Sequence, residues 1–407
     1  MHLSFAGFSA DSRLTQPGHL FFALPGEKTD GHQFLKEVAQ KKAQAAIVSK
    51  SYSGPDFGLT LFYVDDPLLT LQECARFKLQ NRRPKIVGIT GTVGKTSCKE
   101  FVVTLLEGSK KIAWSPKSYN SKISLPLTIL NHAALGEEVL ILEMAMSKKG
   151  EIARLVEIAP PDIAVITAIS LVHAENFATL DEIAQAKGEI LTHPQTRLGI
   201  IPPYGFLQEM GSCSKKTVSF DGPNADYHMG NVPLPALELP PHHQYNALLA
   251  MVVCRELGLE WEEILPRTQL LRVLEGRGAV VEKSGVYFVN DTYNASPQSM
   301  KAALDAFPSA SGKRLAVLGE MKELGKFSEQ AHKEVGTHAL DKLDYLICTG
   351  NECAPIEEVW KREGRPVEHF VTNQDALQAL RQVAKPGDVV LLKGSHSCRL
   401  WELLEAF

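Results

Sequence analysis

The sequence predicts an α/β protein of three domains: a small N-terminal α/β domain over 1–83, a central phosphate-loop domain on a parallel sheet over 84–276, and a C-terminal Rossmann-like parallel-sheet domain over 277–407. Three observations predict it. The 407 residues suffice for two to four domains at roughly 100–200 residues each. A short apolar run, Lys85–Ile89, leads through a Gly/Thr turn into a helical pattern from Lys95 to Leu106. From about Arg277 onward, strand and helix patterns alternate regularly, which requires right-handed crossovers and a parallel sheet.

Taken in order, the first block offers strand candidates at Leu20–Leu24, Ala45–Val48 and Leu61–Val64, with a helical stretch from Phe34 to Lys42. The segment Leu79–Pro84, polar with two Arg and a closing Pro, reads as a linker. In the second block, Val139–Leu142 and Ile163–Ile169 read as buried strands. Leu180, Ile183, Ala184 and Ile190 support a helix over Asp181–Leu191, and a second helix spans Tyr245–Leu257. In the third block the strands are Val286–Asn290, Leu315–Leu318, Tyr345–Cys348, His369–Val371 and Val389–Leu392. Helical patterns lie near Gln298–Ala306, Gln330–Lys342, Pro355–Arg362, Asp375–Ala384 and Arg399–Glu405.

Composition narrows the function classes. With 43 Lys plus Arg against 47 Asp plus Glu, the formal net charge is −4, and no basic block is present. That argues against a nucleic-acid or membrane-surface binder. No apolar stretch reaches the roughly 18 residues needed to span a bilayer. The first residues lack the basic and apolar regions of a secretory signal. Seven scattered Cys argue against a disulfide framework. A cytoplasmic, monomeric protein is expected.

The sharpest chemical signal is GITGTVGKTS, Gly88–Ser97. A strand, a Gly-rich turn and a helix start point backbone N–H groups and the positive helix end at a phosphate chain. Lys95 would reach the terminal phosphates and the Thr96 hydroxyl would hold Mg²⁺. The strict Walker pattern is not met, because Ile89 stands at its first Gly. Glu143 ends the apolar run VLIL and could share that metal; a solvated strand-end Glu is the competing reading. His173 follows Ile163–Ile169 and could ligate a metal or be a structural histidine. Lys187 reads as an ordinary helix Lys. NDTYNASPQS (Asn290–Ser299) puts Asp291 and Asn294 on a loop after a strand, with Ser296 and Pro297 as helix cap and first turn. LLKGSHSCR puts Lys393, Ser395 and Arg399 at the equivalent edge, a possible anion site or solvated charge.

Together these residues resemble the Mur ligase family, the ATP-driven amide ligases of peptidoglycan precursor synthesis. TGTVGKT is that family's variant of the phosphate loop and accounts for the Walker mismatch. The likeness extends over GKTSCKEF, LEMAMSKKGEI, DIAVITAISLVHAENF, AQAKGEI, VNDTYNASPQSM, LGEMKELG and LLKGSHSCR, and the N-terminal SADSR and GHLFFALPGEKTDGHQF look like the family's nucleotide-sugar domain. NDTYNASP resembles the branch that adds D-alanyl-D-alanine to UDP-N-acetylmuramoyl-tripeptide.

The resemblance implies that ATP is bound by the loop residues Gly91, Thr92, Gly94, Lys95, Thr96 and Ser97. Asn246 would lie on the adenine side, with Arg277 and Asp291 at the phosphates and ribose. It implies two Mg²⁺, held by Thr96, Glu143, His173 and a carbamylated Lys187. Lys95, His173 and Lys187 would be the catalytic set. Ser12 and Arg13 would bind the uridine end, Asn294 would lie near the dipeptide, and Asn120 and Lys393 are further substrate-side candidates. The sequence departs from the family at His243, where the HNxxN motif has an Asn. It also departs at Ser118, Ser121, Ser124, Ala145 and His396. Another amino-acid ligase of the superfamily, such as a folylpolyglutamate-type enzyme, or a weakened binding homologue remains the alternative.

Overall fold

The computed structural model describes residues 4–407 except 27–28, 82, 134–135, 171–175, 178 and 310. Among the described residues the strands form three sheets, of four, seven and six strands. The first contains β1 (Gly7–Ser9), β2 (His19–Phe22), β3 (Ala45–Ser49) and β4 (Thr60–Val64), parallel and side by side in that order. Its core gathers Phe21, Ala46 and Val48 from the strands with Leu35 and Val38 from the Leu35–Gln40 helix. The Pro67–Asn81 helix follows, burying Leu71, Ala75 and Leu79 at four-residue spacing. It takes up the first half of the polar stretch that reads as a linker, Leu79 to Asn81, because buried Leu79 continues its apolar stripe.

The second sheet comprises β5 (Lys85–Thr90), β6 (Ile112–Trp114), β7 (Val139–Glu143), β8 (Ile163–Ile166), β9 (Leu198–Ile201), β10 (Ser214–Ser219) and β11 (Tyr227–His228). Its order is β11-β10-β9-β8-β5-β7-β6. Central β5 is flanked by β8 and β7, and β5, β7 and β8 are buried almost throughout. That explains their continuous apolar runs: a parallel sheet covered on both faces has no polar side to alternate with. Before β5, Arg83 grips both oxygens of Asp162 (3.0 and 2.9 Å), whose Oδ2 also accepts the Ile86 N–H at 2.8 Å.

The third sheet comprises β12 (Ala279–Lys283), β13 (Val286–Asp291), β14 (Arg314–Gly319), β15 (Tyr345–Thr349), β16 (Val367–Phe370) and β17 (Val389–Lys393), ordered β12-β13-β17-β14-β15-β16. Every expected strand is present and parallel, and β12 adds an antiparallel edge through a hairpin with β13. The sheet is therefore mixed. Alternate residues feed two cores: Val289, Leu318, Leu346 and Leu391 on one face, Phe288, Val317, Ile347 and Leu392 on the other. All seven Cys are free thiols. No helix of the described residues is long and apolar enough to cross a membrane.

Candidate nucleotide and metal sites

The chain divides into two compact units, residues 1–90, 102–166 and 186–216 in one, and 91–101, 167–185 and 217–407 in the other. The second unit contains the phosphate loop. Two glycines there have no substitute. Gly91 has φ +145° and Gly94 φ +85°, a region L side chains avoid. A Cβ on Gly91 would lie 2.0 Å from the Thr167 hydroxyl, and one on Gly94 would lie 2.4 Å from Oδ1 of Asn246.

The loop is held from outside. Thr167 donates to the Val93 carbonyl (2.5 Å), and the Thr92 N–H donates to the Ala168 carbonyl (2.9 Å). The Thr92 hydroxyl donates to the Ser170 carbonyl (3.2 Å) and accepts the Ser170 N–H (3.1 Å). Sequence reading did not single out Thr167, Ala168 or Ser170. The sequence places Thr167 and Ala168 inside an Ile163–Ile169 strand; β8 ends at Ile166, which leaves them past its carboxyl end, bonded to the loop.

The loop opens the Lys95–Leu106 helix, whose first-turn N–H groups have no acceptor within the helix. The Lys95 ammonium donates to the carbonyls of Gly91 (2.9 Å) and Thr92 (3.2 Å), so its charge sits over the loop. Thr96 and Ser97 are buried in that first turn. The Thr96 hydroxyl accepts from Nη2 of Arg277 at 3.1 Å, and the Arg277 guanidinium stacks 3.6 Å from the centre of the Tyr293 ring. Asp291, from the end of β13, pairs with Lys393 from the end of β17 at 2.8 Å. Register makes that pair unavoidable, because Asp291 lies opposite Lys393. The Lys393 ammonium also donates to the Asn294 carbonyl at 2.9 Å. Buried and committed to protein oxygens, Lys393 ties the end of β13 to the Thr292–Asn294 loop that follows it, while Asn294 itself is exposed.

At the end of β14, LGEMKELG is tied down as well. Ser395 N–H donates to the Glu320 carbonyl (2.9 Å), and the Lys322 N–H donates to the Ser395 hydroxyl (2.8 Å). The unit thus gathers Gly91, Thr92, Gly94, Lys95, Thr96, Ser97, Asn246, Arg277, Asp291, Asn294 and Lys393.

The first unit carries Ser12, Arg13, Asn120, Glu143 and Lys187. Ser12 follows β1, is buried and donates to Glu37 (2.9 Å), whereas Arg13 is exposed and pairs with Asp11 at 2.6 Å. Glu143, 1% exposed, ends β7 opposite Ile89 of β5. One carboxylate oxygen accepts from Asn120 (2.8 Å), and its backbone N–H donates to the Ser115 hydroxyl (3.2 Å). Lys187, 2% exposed, sits at the end of the Leu180–Gly188 helix, whose continuation presents Glu189. Burial sets Lys187 apart from the solvated helix Lys that composition suggests. His173 lies outside the described residues. Among the described residues, no three His, Cys, Asp or Glu side chains gather as a metal group. Taken each in its own unit, the Thr96 hydroxyl and the buried Glu143 carboxylate are hard oxygen donors, the chemistry that suits Mg²⁺.

Comparison with known proteins gives this geometry a family. The chain matches the Mur ligase middle domain over residues 89–236, the Mur ligase glutamate ligase domain over 276–396, and the Mur ligase family catalytic domain over 4–53. It is 33% identical to the UDP-N-acetylmuramoyl-tripeptide–D-alanyl-D-alanine ligase of Bacillus subtilis (strain 168), over 98% of this chain and 92% of that protein. It is 31% identical to the same-named ligase of Synechocystis, over 96% and 89%. The crystal structure of the MurF ligase from Thermotoga maritima in complex with ADP superposes with a TM-score of 0.82 at 30% identity, covering 98% of this chain and 96% of that one. With its three-domain fold and its variant phosphate loop, the chain belongs to the Mur ligase family.

Proposed function

We propose that this chain is the ATP-dependent, ADP-forming ligase that joins D-alanyl-D-alanine to UDP-N-acetylmuramoyl-tripeptide, in cytoplasmic peptidoglycan precursor synthesis. The observation that carries the reading is the phosphate loop braced by Thr167 and Asn246 and faced by Arg277, in a chain whose curated relatives bear that activity in their names. The domain limits that go with it are 1–83 for the UDP-substrate domain, 84–276 for the ATP domain and 277–407 for the domain receiving the dipeptide.

The tripeptide carboxylate attacks the γ-phosphorus of ATP, forming an acyl phosphate and releasing ADP. The dipeptide amine then attacks the acyl carbon, its proton is lost to solvent or base, and phosphate leaves as the amide forms. Lys95 and the N–H groups of the loop hold the phosphates, and Arg277 adds a second cation on the same side. Thr96, Glu143, His173 and carbamylated Lys187 would hold Mg²⁺, which supplies charge neutralisation at the phosphoryl oxygens. Asn120 orients the Glu143 carboxylate. Asn246 and Asp291 serve the nucleoside, Ser12 and Arg13 the uridine end, and Asn294 the dipeptide. Lys393 acts on the substrate side by holding the loop that bears Asn294. Most of the rate comes from positioning and preorganised charge, since ATP supplies the driving force.

Phosphate release should require ATP, UDP-N-acetylmuramoyl-tripeptide and D-alanyl-D-alanine together. Diaminopimelate or glutamate should not replace the dipeptide. Lys95→Ala should lower that release by on the order of a hundredfold or more, the scale of losing one preorganised charge donor. Acceptor-independent turnover, or a Lys95→Ala variant at the wild-type rate, would sink the reading.

A further inference from the structure

The Pro241–Glu256 helix presents His243 and Asn246 three residues apart, hence on one face. Asn246 presses its amide oxygen against Gly94 of the phosphate loop. His243 places its Nε2 2.7 Å from the carbonyl of Arg277. A carbonyl oxygen only accepts, so Nε2 carries the proton and Nδ1 is bare. That ring is 2% exposed, and Nδ1 has no hydrogen-bond partner among the described residues. Burial pushes the imidazole below its ordinary pKa, in keeping with a neutral ring. Arg277 is also held by its neighbours. The Gly276 carbonyl accepts the Tyr293 N–H at 3.0 Å, and the Gly278 N–H donates to the Asn290 carbonyl at 2.7 Å. These two bonds fix the segment to the end of β13 and the loop after it, and His243 takes the Arg277 carbonyl between them. The guanidinium then stacks on Tyr293 and meets the Thr96 hydroxyl.

We propose that His243 is a positioning residue of the nucleotide site: its Nε2–H holds the Arg277 carbonyl, tethers that arginine to the helix bracing the phosphate loop, and so sets the guanidinium at the nucleotide phosphates. In this chain the ring is spent on the arginine backbone and does not read the base. The inference rests on the nucleotide reading proposed above.

The test is ADP binding by titration calorimetry, with KM for ATP and for the dipeptide measured alongside. Gln places a side-chain N–H near the position of Nε2, whereas Leu fills the space and offers no donor. H243A and H243L should therefore weaken ADP binding and raise KM for ATP by about tenfold, with KM for the dipeptide unchanged. H243Q should recover to within about threefold of wild type. In an R277A background, H243A should add almost nothing, because coupled residues are not additive. Equal ADP affinity for H243Q and H243L, or additive losses with R277A, would overturn the tether. If H243A fails to fold, the H243Q and H243L pair decides the matter alone. Wild-type protein that does not bind ADP would overturn the nucleotide reading, and the tether with it.

Discussion

At Gly94 the backbone holds φ +85° and the Asn246 amide fills the space where a side chain would begin. Gly94→Ala therefore meets two independent penalties. The left-handed conformation costs an alanine roughly 1–2 kcal/mol, and the 2.4 Å contact with Oδ1 forces the helix bearing Asn246 away from the loop. ADP affinity, measured by calorimetry, should fall at least about tenfold, which is the effect of roughly 1.4 kcal/mol. Asn246→Ala should not restore it, since the backbone penalty remains. Binding within twofold of wild type would contradict the geometry. The glycines, Lys95 and Thr96 were legible in the sequence because phosphate chemistry demands them at fixed spacing. Thr167, Ser170 and Tyr293 were not, because Thr, Ser and Tyr carry no such demand until something is placed beside them. His243 was legible only as a departure from a pattern, and the structure gives that departure a task.

Between elements, a partly buried carboxylate joins what the chain separates. Glu189, one residue past the Leu180–Gly188 helix, accepts the Gly150 N–H (2.8 Å) and the Ala153 N–H (3.0 Å) at the start of the Glu151–Ile158 helix. Those donors have no acceptor within their own helix, and a carboxylate there also meets the positive end of the helix dipole. Glu189→Ala should cost about 1–3 kcal/mol for the stranded donors, seen as a lower urea midpoint, and Glu189→Gln should recover part of it through its remaining acceptor. An unchanged midpoint would show that water replaces the carboxylate freely. The same bond fixes the helix end that presents Lys187, two residues away. Helix boundaries were readable to within a few residues where apolar spacing was regular, as in Lys95–Leu106. Short β1, β6, β9, β10 and β12 were not, because three to six residues of modest hydrophobicity leave no periodic signal.

Across the molecule, the candidate residues sit at or just beyond the carboxyl ends of parallel strands: Ser12 after β1, the phosphate loop after β5, Glu143 ending β7, Asp291 ending β13 and Lys393 ending β17. That is where open α/β sheets collect ligands. A net charge of −4 is no obstacle to the proposed function, in which small anions would be met by local cations such as Lys95 and Arg277. The interior also sets a pH dependence. His242, His243 and His332 lie below the ordinary imidazole pKa of 6.5, chiefly through burial, with His242 down at about 4. His332 uses both nitrogens, accepting the Met321 N–H on Nε2 (3.0 Å) and donating from Nδ1 to the Ser328 carbonyl (2.7 Å). Below pH 6.5 the unfolded chain binds protons that these folded rings refuse, so stability is present above that pH and falls as the medium turns acid. The lowered carboxylates, such as Asp305 and Glu352, add their loss lower, near pH 4. The denaturation midpoint should therefore drop between pH 7 and 5, before carboxylates titrate. A flat profile down to pH 5 would mean the imidazoles are not buried neutral.

The sequence by itself determined the α/β class, the alternation that builds the C-terminal parallel strands, the phosphate loop and the likeness to one ligase family. These depend on local spacing, and local spacing is written in the chain. Tertiary structure alone decided that the C-terminal sheet gains an antiparallel edge, that Lys393 is committed to Asp291 and Asn294, that Lys187 is buried, and that His243 holds Arg277. Each of these is a contact across tens or hundreds of residues except the hairpin, whose weak β12 pattern needed β13 as a partner. What such a side chain does depends on which neighbour arrives within hydrogen-bond distance, and only packing determines that.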